Sequence, residues 1–190
     1  SDLAVFGKLA GDGARNYAEA MAGSPEIHAE QVDGIIERSR SFLNREEGEN
    51  PYLLHEEIQE AMQEKVGIIR NAEDLQSALQ DIAAIAPRCA RAKAHPSSQY
   101  NAGWHEAMDL ASLLITSEAV ARAALLREES RGAHTRLDFE GERPDWGAVN
   151  IVIRKGPDGM IVEKNVRGED PPELAAVARA SLEDLEKDNG

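Results

Sequence analysis

The chain has 190 residues and a mass of 20.7 kDa, enough for one domain with a sizeable core or for two small ones. Its 35 Asp+Glu against 21 Lys+Arg leave a formal charge of -14 and a pI near 4.8, the opposite of the basic balance that a phosphate backbone selects, so nucleic acid is not expected as a partner. The apolar run at 110–115 falls far short of the ~20 residues of a membrane span. Residues 1–10 lack the basic lead and apolar stretch of a signal peptide, and the single cysteine, Cys89, cannot form an internal disulfide. The expected setting is reducing and cytoplasmic.

In chain order, the first residues fall inside a helical pattern with no initiating methionine, which reads as a cut end. Leu3, Phe6, Leu9, Ala10, Ala14, Tyr17, Ala18 and Met21 recur at helical spacing up to Gly23 and Pro25. A short amphipathic helix follows over 29–45, with Val32, Ile35, Ile36 and Phe42 among charges, and then a polar linker to Pro51. Leu54, Ile58, Ala61, Met62, Val66 and Ile69 form the next stripe. Asn71 caps a further helix, with Asp74 at its third position, and Leu75, Leu79, Ile82 and Ala86 run to Pro87. After a loop at 94–98, a long helix is expected over 101–129. Trp104, Met108, Ala111 and Ile115 share one face and Leu110, Leu113 and Leu114 another, so burial on more than one side is expected. Short joins between such helices give an antiparallel three-helix bundle over 51–130, similar to a spectrin repeat.

After Gly132 the period changes. Val149, Ile151 and Ile153 alternate with Asn150, Val152 and Arg154, Gly156-Pro157-Asp158-Gly159 makes a turn, and Met160, Val162 and Lys164 alternate with Ile161 and Glu163, which predicts a β-hairpin. Pro171 and Pro172 open a last helix with Leu174, Val177, Ala178 and Leu182 on one face, and 183–190 fray in charge. The fold class is mainly α.

Most chemical motifs are weak. His105-Glu106-Ala107-Met108-Asp109 approaches a zinc-protease helix but has Asp109 at the second ligand position and no third ligand, so a surface histidine is the better reading. His55-Glu56-Glu57 reads as a solvated face. Gly11-Asp12-Gly13 lacks the third glycine and preceding strand of a dinucleotide loop, and reads as a helix weakness or packing point. Arg88 and Arg91 could depress the Cys89 thiol, yet an incidental or structural cysteine is the stronger reading. The segment 127–139 is richer: Arg127, Arg131, Arg136, His134 and Asp138 cluster around Gly132 at an expected helix end. Two readings stay open. One is a helix C-terminus met by cations, which is favoured; the other is an anion or substrate site built on Arg131, His134 and Arg136.

The run Glu129-Ser130-Arg131-Gly132-Ala133-His134-Thr135-Arg136-Leu137-Asp138 resembles the Glu-Ser-Arg-Gly-Ala-His-x-Arg-x-Asp signature of the C-terminal domain of succinate dehydrogenase and fumarate reductase flavoprotein subunits. Residues 1–11 resemble the helix closing that family's FAD domain, 57–62 and 66–70 resemble the start of its helical domain, and Trp146 and the hairpin fall in order. The resemblance runs from Ser1 to about Val166. It implies four regions: 1–23 as the last helix of the FAD-binding domain, 24–50 as a short helix and linker, 51–131 as the bundle, and 132–190 as loop, hairpin and final helix.

The resemblance further implies a parent enzyme that interconverts succinate and fumarate by hydride transfer with FAD and passes electrons to an iron-sulfur subunit and quinone. The Rossmann-like FAD domain and the capping domain would be the chain's own N-terminal partners, and membrane contact would be indirect, through anchor subunits on the cytoplasmic face. No catalytic residue carries over; Ser1, Asp2 and Leu3 would adjoin the flavin contact, and the first helix would aim its N-terminus at the isoalloxazine ring. The 190 residues alone are expected to be inactive, to retain no FAD, to hold no metal and to self-associate through an uncovered apolar face. Arg131, His134, Arg136 and Asp138 are expected to be interface or structural residues. Rival readings are the corresponding domain of L-aspartate oxidase, with a similar Ser-Arg-Gly-Ala-His segment, and a free-standing acidic helical interaction module.

Overall fold

A computed structural model describes residues 2–181. Ser1, Leu182 and the tail 183–190 lie outside the described residues, as do the side chains of Asp2, Ala178 and Arg179. The chain forms two compact units, divided between Ser41 and Phe42.

The first unit contains α1 (Asp2–Ala20) and most of α2 (Ala29–Asn44). Both helices are amphipathic, yet Leu3, Phe6, Leu9, Tyr17, Val32, Ile35 and Ile36 are exposed. Gly11 and Gly13 lie inside α1 with open space where a Cβ would stand, so they are points of helix weakness and not of close packing.

The second unit is built on α3 (Pro51–Lys65), α4 (Ala72–Cys89) and α5 (Ala102–Leu126), which pack pairwise as an up-down-up bundle. Each helix starts on an asparagine whose side-chain oxygen accepts an orphan amide: Asn50 from Tyr52 at 3.0 Å, Asn71 from Asp74 at 2.9 Å and Asn101 from Trp104 at 3.0 Å. Leu54, Ile58, Ile85, Cys89, Ala107 and Leu110 fill one half of the core; Val66, Leu75, Ala78, Ile82, Ala121 and Ala124 fill the other. Met62 and Leu114 pack against both halves. Arg88 reaches from α4 to Glu57 of α3 and to Glu49 ahead of it, tying the α4 end to the α3 start. There Gly48 admits the 90–93 backbone so closely that a Cβ would stand 2.5 Å from the Arg91 carbonyl oxygen.

Four expectations are corrected. Ile69 does not continue the α3 stripe: the helix stops at Lys65, Val66 leaves helical dihedrals, and Ile69 is 65% exposed in a strand, β1 (Ile69–Arg70). Pro87 does not end α4, which continues to Cys89; a proline in the last turn removes just one amide donor, and the Ala90 amide still reaches the Ala86 carbonyl at 3.2 Å. The third helix ends at Leu126, not Glu129, because Arg127 turns extended. Finally, α5 buries one side: Ala107, Leu110, Ser117, Ala121 and Ala124 face the bundle, whereas Ala111 is exposed and Ile115 is 61% exposed. Two partner helices can cover one side of a third, which leaves the other apolar face open.

Past α5, β2 (Thr135–Arg136) pairs in parallel with β1, in the register Ile69↔Thr135 and Arg70↔Arg136. This two-residue ribbon is too short to give a period of 2 in the sequence. A one-turn helix α6 (Pro144–Gly147) carries buried Trp146 into the hairpin of β3 (Val149–Gly156) and β4 (Gly159–Val166), which is antiparallel with Pro157 and Asp158 at its tip. Both strands pack against α5. The hairpin is as the alternation predicts. The last helix, α7 (Pro172–Arg179), leaves Leu174 and Val177 exposed.

Candidate functional site

The loop from α5 to the hairpin is organised around two charged centres. Glu129 is the first, with 0% exposure. Its carboxylate accepts from Arg127, from Arg131 Nε at 2.9 Å and from the Arg143 amide at 2.9 Å. Burial by itself would push this carboxyl up, but donation from Arg131, the Arg143 amide and Arg127 outweighs burial and holds it down to about 2. Arg131 also pairs with Glu142 at 2.9 Å.

Arg136, 1% exposed, is the second centre. Nε and Nη2 each reach Asp138 at 2.7 Å, a bidentate pair, while Nη1 donates to the carbonyls of Ala124 at 2.9 Å, Leu125 at 3.1 Å and Arg127 at 3.0 Å. These carbonyls close the end of α5, so a buried cation sits on the negative end of that helix. Asp138 in turn accepts the Ala72 amide at 3.0 Å, at the positive start of α4. The Arg136 guanidinium, acting against desolvation and helped by the Ala72 amide, holds Asp138 at about 2. One ion pair thus joins two helix ends of opposite polarity, and Ser130 fastens the loop by donating to the Phe139 carbonyl at 2.8 Å while accepting the Arg136 amide at 2.9 Å.

Gly132 does not cap the helix, as the sequence suggests; it turns the chain between Arg131 and His134, whose backbones exchange hydrogen bonds of 2.8 and 3.0 Å, with φ of +57° that suits glycine. The His134 ring donates through Nε2 to the Arg127 carbonyl at 3.2 Å. Burial lowers the His134 pKa against that hydrogen bond, and Arg70, Arg136 and Arg127 lower it further. Arg131, His134 and Arg136 therefore lie together but do not converge on an open cleft: the two arginines are saturated by Glu129, Glu142, Asp138 and carbonyls. The sequence alone does not reveal Glu129 as the centre, the Ala72 amide, or the cation contacts of Trp146, whose ring lies 3.6 Å from Lys164 Nζ and 5.3 Å from Arg127 Cζ.

The remaining motifs separate. His105 and Asp109 are exposed on α5, and His55 pairs across to Glu106. Among the described residues no group of three or more His, Cys, Asp or Glu is placed to hold a metal. Cys89 is buried, and burial pushes its thiol up, so the activated reading falls: Arg88 is engaged by Glu49 and Glu57. Leu3, near the expected flavin contact, is 92% exposed. Among the described residues no helix is long and apolar enough to cross a membrane.

A mainly helical bundle followed by a hairpin, with a connecting loop whose charges pair with one another, defines the class. The family model for the fumarate reductase flavoprotein C-terminus matches residues 55–170. The Escherichia coli fumarate reductase flavoprotein subunit is 36% identical over 149 residues, 76% of this chain and 25% of that protein. The Coxiella burnetii succinate dehydrogenase flavoprotein subunit is 32% identical over 177 residues, 90% of this chain and 30% of that protein. The Mycobacterium smegmatis Sdh1 complex superposes with a TM-score of 0.85 at 35% identity, over 98% of this chain and 32% of that one. An adenylylsulfate reductase from Archaeoglobus fulgidus, 21% identical with a TM-score of 0.67, shares the fold. The chain belongs to the C-terminal domain family of succinate dehydrogenase and fumarate reductase flavoprotein subunits, and it spans about a quarter to a third of the length of these relatives. These names favour that family over the aspartate oxidase alternative. The described residues do not fit a flavin site by themselves: the buried cations are bound to carboxylates, and Gly11 and Gly13 lie mid-helix where no phosphate loop can form.

Proposed function

We propose that this chain is the helical scaffold of a flavoprotein that interconverts succinate and fumarate, with 1–23 as the last helix of the FAD-binding domain, 24–50 as a connector, 51–131 as the bundle and 132–190 as loop, hairpin and final helix. FAD, held by residues outside this chain, would accept or supply the hydride. The chain's own part is to give that domain a rigid base; α1 would aim its N-terminus, near Ser1, Asp2 and Leu3, toward the flavin. An iron-sulfur subunit and membrane anchors would complete the assembly, keeping this chain on the cytoplasmic face.

The observation that carries this reading is the superposition over 98% of the chain on a flavoprotein complex, at a TM-score of 0.85. In it Arg131, His134, Arg136 and Asp138 serve structure and not turnover, since their polar groups bind one another and two helix ends. The test is to purify the whole protein that carries this chain and measure bound flavin and succinate-dependent dye reduction. Flavin with succinate turnover is expected; a flavin-free protein, or one that oxidises aspartate in place of succinate, overturns it. The 190 residues alone, supplied with FAD, should reduce no dye.

A further inference from the structure

Three aspartates in the chain precede a glycine, at Asp12-Gly13, Asp33-Gly34 and Asp158-Gly159. Such a pair is chemically distinct: a backbone amide with no Cβ beside it can reach the carboxyl of the aspartate before it, provided that the aspartate can turn about ψ and the amide is free. Two of the three pairs are held away from that approach. Asp12-Gly13 lies inside α1 and Asp33-Gly34 inside α2, where helical dihedrals fix ψ and point each glycine amide along the axis toward the carbonyl four residues back. Asp12 is held further by Lys8, whose Nζ donates to its carboxylate at 2.6 Å. Asp158-Gly159 differs. Pro157 and Asp158 form the tip between β3 and β4; Asp158 is exposed, and its carboxylate makes no hydrogen bond or ion pair among the described residues. Gly159 has φ of +130°, with open space where a Cβ would stand. Gly156↔Gly159 is the last pair of the ladder, at a loop tip, where opening costs least. The other described aspartates precede Leu, Ile, Phe, Trp or Pro, which obstruct the attack or lack the amide hydrogen.

We propose that Asp158 is a site of spontaneous modification, at which the Gly159 amide closes a succinimide and water reopens it to isoaspartate, making the hairpin tip a substrate for enzymes that methylate isoaspartyl carboxylates. Closure forms the bond from Gly159 N to Asp158 Cγ and breaks a Cγ–O bond; the amide proton and the carboxyl hydroxyl leave as water. Water then adds to one imide carbonyl. Addition at Cγ restores aspartate. Addition at the Asp158 backbone carbonyl breaks its bond to Gly159 N and leaves the chain running through Cγ, with a free α-carboxylate. No oxidant or other reactant is consumed, and the mass is unchanged. The product carries one more backbone carbon at a point without slack: Gly156 is packed so close to Ile161 that a Cβ there would stand 2.7 Å from its Cγ1. The extra atom therefore works against the Gly156↔Gly159 closure and against the register that carries Lys164 onto Trp146. This chemistry needs the hairpin alone and holds whichever enzyme carries the chain.

The test ages the whole protein at neutral pH and physiological temperature in heavy-oxygen water, where each hydrolysed succinimide gains one heavy oxygen. Isoaspartyl groups are then labelled with a protein isoaspartyl methyltransferase and radioactive S-adenosylmethionine, and both signals are mapped by mass spectrometry of peptides. Label at 158 is expected to exceed that at 12 or 33 by about tenfold or more, since a backbone hydrogen bond withholds the two helical amides. In concentrated guanidinium chloride the three sites should come within a few-fold of one another, because the fold and not the dipeptide separates them. Asp158→Glu, whose ring closure needs one more atom, should remove the label, and Asp158→Asn, which loses ammonia in place of water, should increase it. Asn189-Gly190 forms the same product and is told apart by the mapping. An unlabelled 158 in the native protein overturns the proposal, as do equal label at 12 or 33, a difference that persists in guanidinium, or a label that survives Asp158→Glu. The wild-type comparison needs no variant, so a misfolded variant leaves it decisive.

Discussion

Arg136→Met tests whether the loop is held by its buried cation. The substitution keeps most of the side-chain volume and removes the bidentate pair to Asp138 together with the donors to the Ala124, Leu125 and Arg127 carbonyls. Removing one partner of a buried ion pair costs ~3–5 kcal/mol, and each carbonyl left dry adds up to ~1–3 kcal/mol unless water reaches it. Asp138 is 31% exposed and keeps the Ala72 amide, so it rehydrates in part. The net loss is therefore placed at about 4 kcal/mol, a large share of the ~5–15 kcal/mol that holds a domain together. At roughly 3 °C per kcal/mol for a unit of this size, the melting temperature falls by about 12 °C. Urea unfolding of the 190-residue chain, followed by far-ultraviolet circular dichroism, measures the loss. A cycle with Asp138→Asn should give a coupling energy of about 2 kcal/mol. A loss below about 1 kcal/mol, or a coupling energy near zero, would refute the claim that this pair joins α5 to α4.

Stability should fall on acidification in two stages. His134, lowered in the fold, favours folding above its ordinary 6.5, and that contribution is lost as the unfolded chain takes up its proton first below 6.5; Glu129 and Asp138, both held near 2, contribute fully above their ordinary 4.5 and 3.8 and lose that contribution as pH falls toward 2. Urea midpoints between pH 8 and 3 check this, and a flat profile across 6.5 in wild type, or one unchanged by His134→Gln, contradicts the His134 assignment. Gly48→Ala should cost about 2–3 kcal/mol because its Cβ would stand 2.5 Å from the Arg91 carbonyl oxygen and 2.6 Å from the Lys93 Cβ, a backbone atom and a Cβ that no side-chain rotation can move away; a melting temperature equal to wild type argues against that close approach. In the whole protein, Arg131→Ala and His134→Ala should lower the folded yield or flavin content while leaving turnover per bound flavin within about twofold of wild type, as expected of structural residues. Normal flavin with lost turnover would place these residues in the chemistry instead.

The bundle was legible because its signals are local. Asn71 marks the start of one helix, and Leu54, Ile58, Leu75, Ile82 and Leu110 recur at a spacing that puts them on one side of each helix; the matching caps at Asn50 and Asn101 emerged with the structure. The Gly156-to-Gly159 turn fixes the hairpin for the same reason: two-residue turns and alternation are properties of neighbouring residues. The Glu129-to-Asp138 run marked the loop through its resemblance and its density of charge, which composition alone displays.

What these charges do was decided by residues far apart in sequence. Glu129 reads as one more acid in an acidic chain, yet it is the buried centre of three donors because Arg143 returns to it 14 residues later. The sequence places Arg136 among cations at a helix end, but which carbonyls it meets follows from α5 ending at Leu126, and Asp138 acquires its place from Ala72, 66 residues earlier. Ile69 and Arg70 follow an apolar helix in sequence, but pairing with Thr135 and Arg136 draws them into a ribbon that leaves Ile69 exposed and Arg70 half-buried. The second apolar face of α5 shows the same division. Periodicity establishes that it is apolar, while its exposure follows from the number of helices that pack against it. Local spacing determined which elements form; which charge meets which, and which face is covered, depended on contacts that exist once the chain has closed on itself.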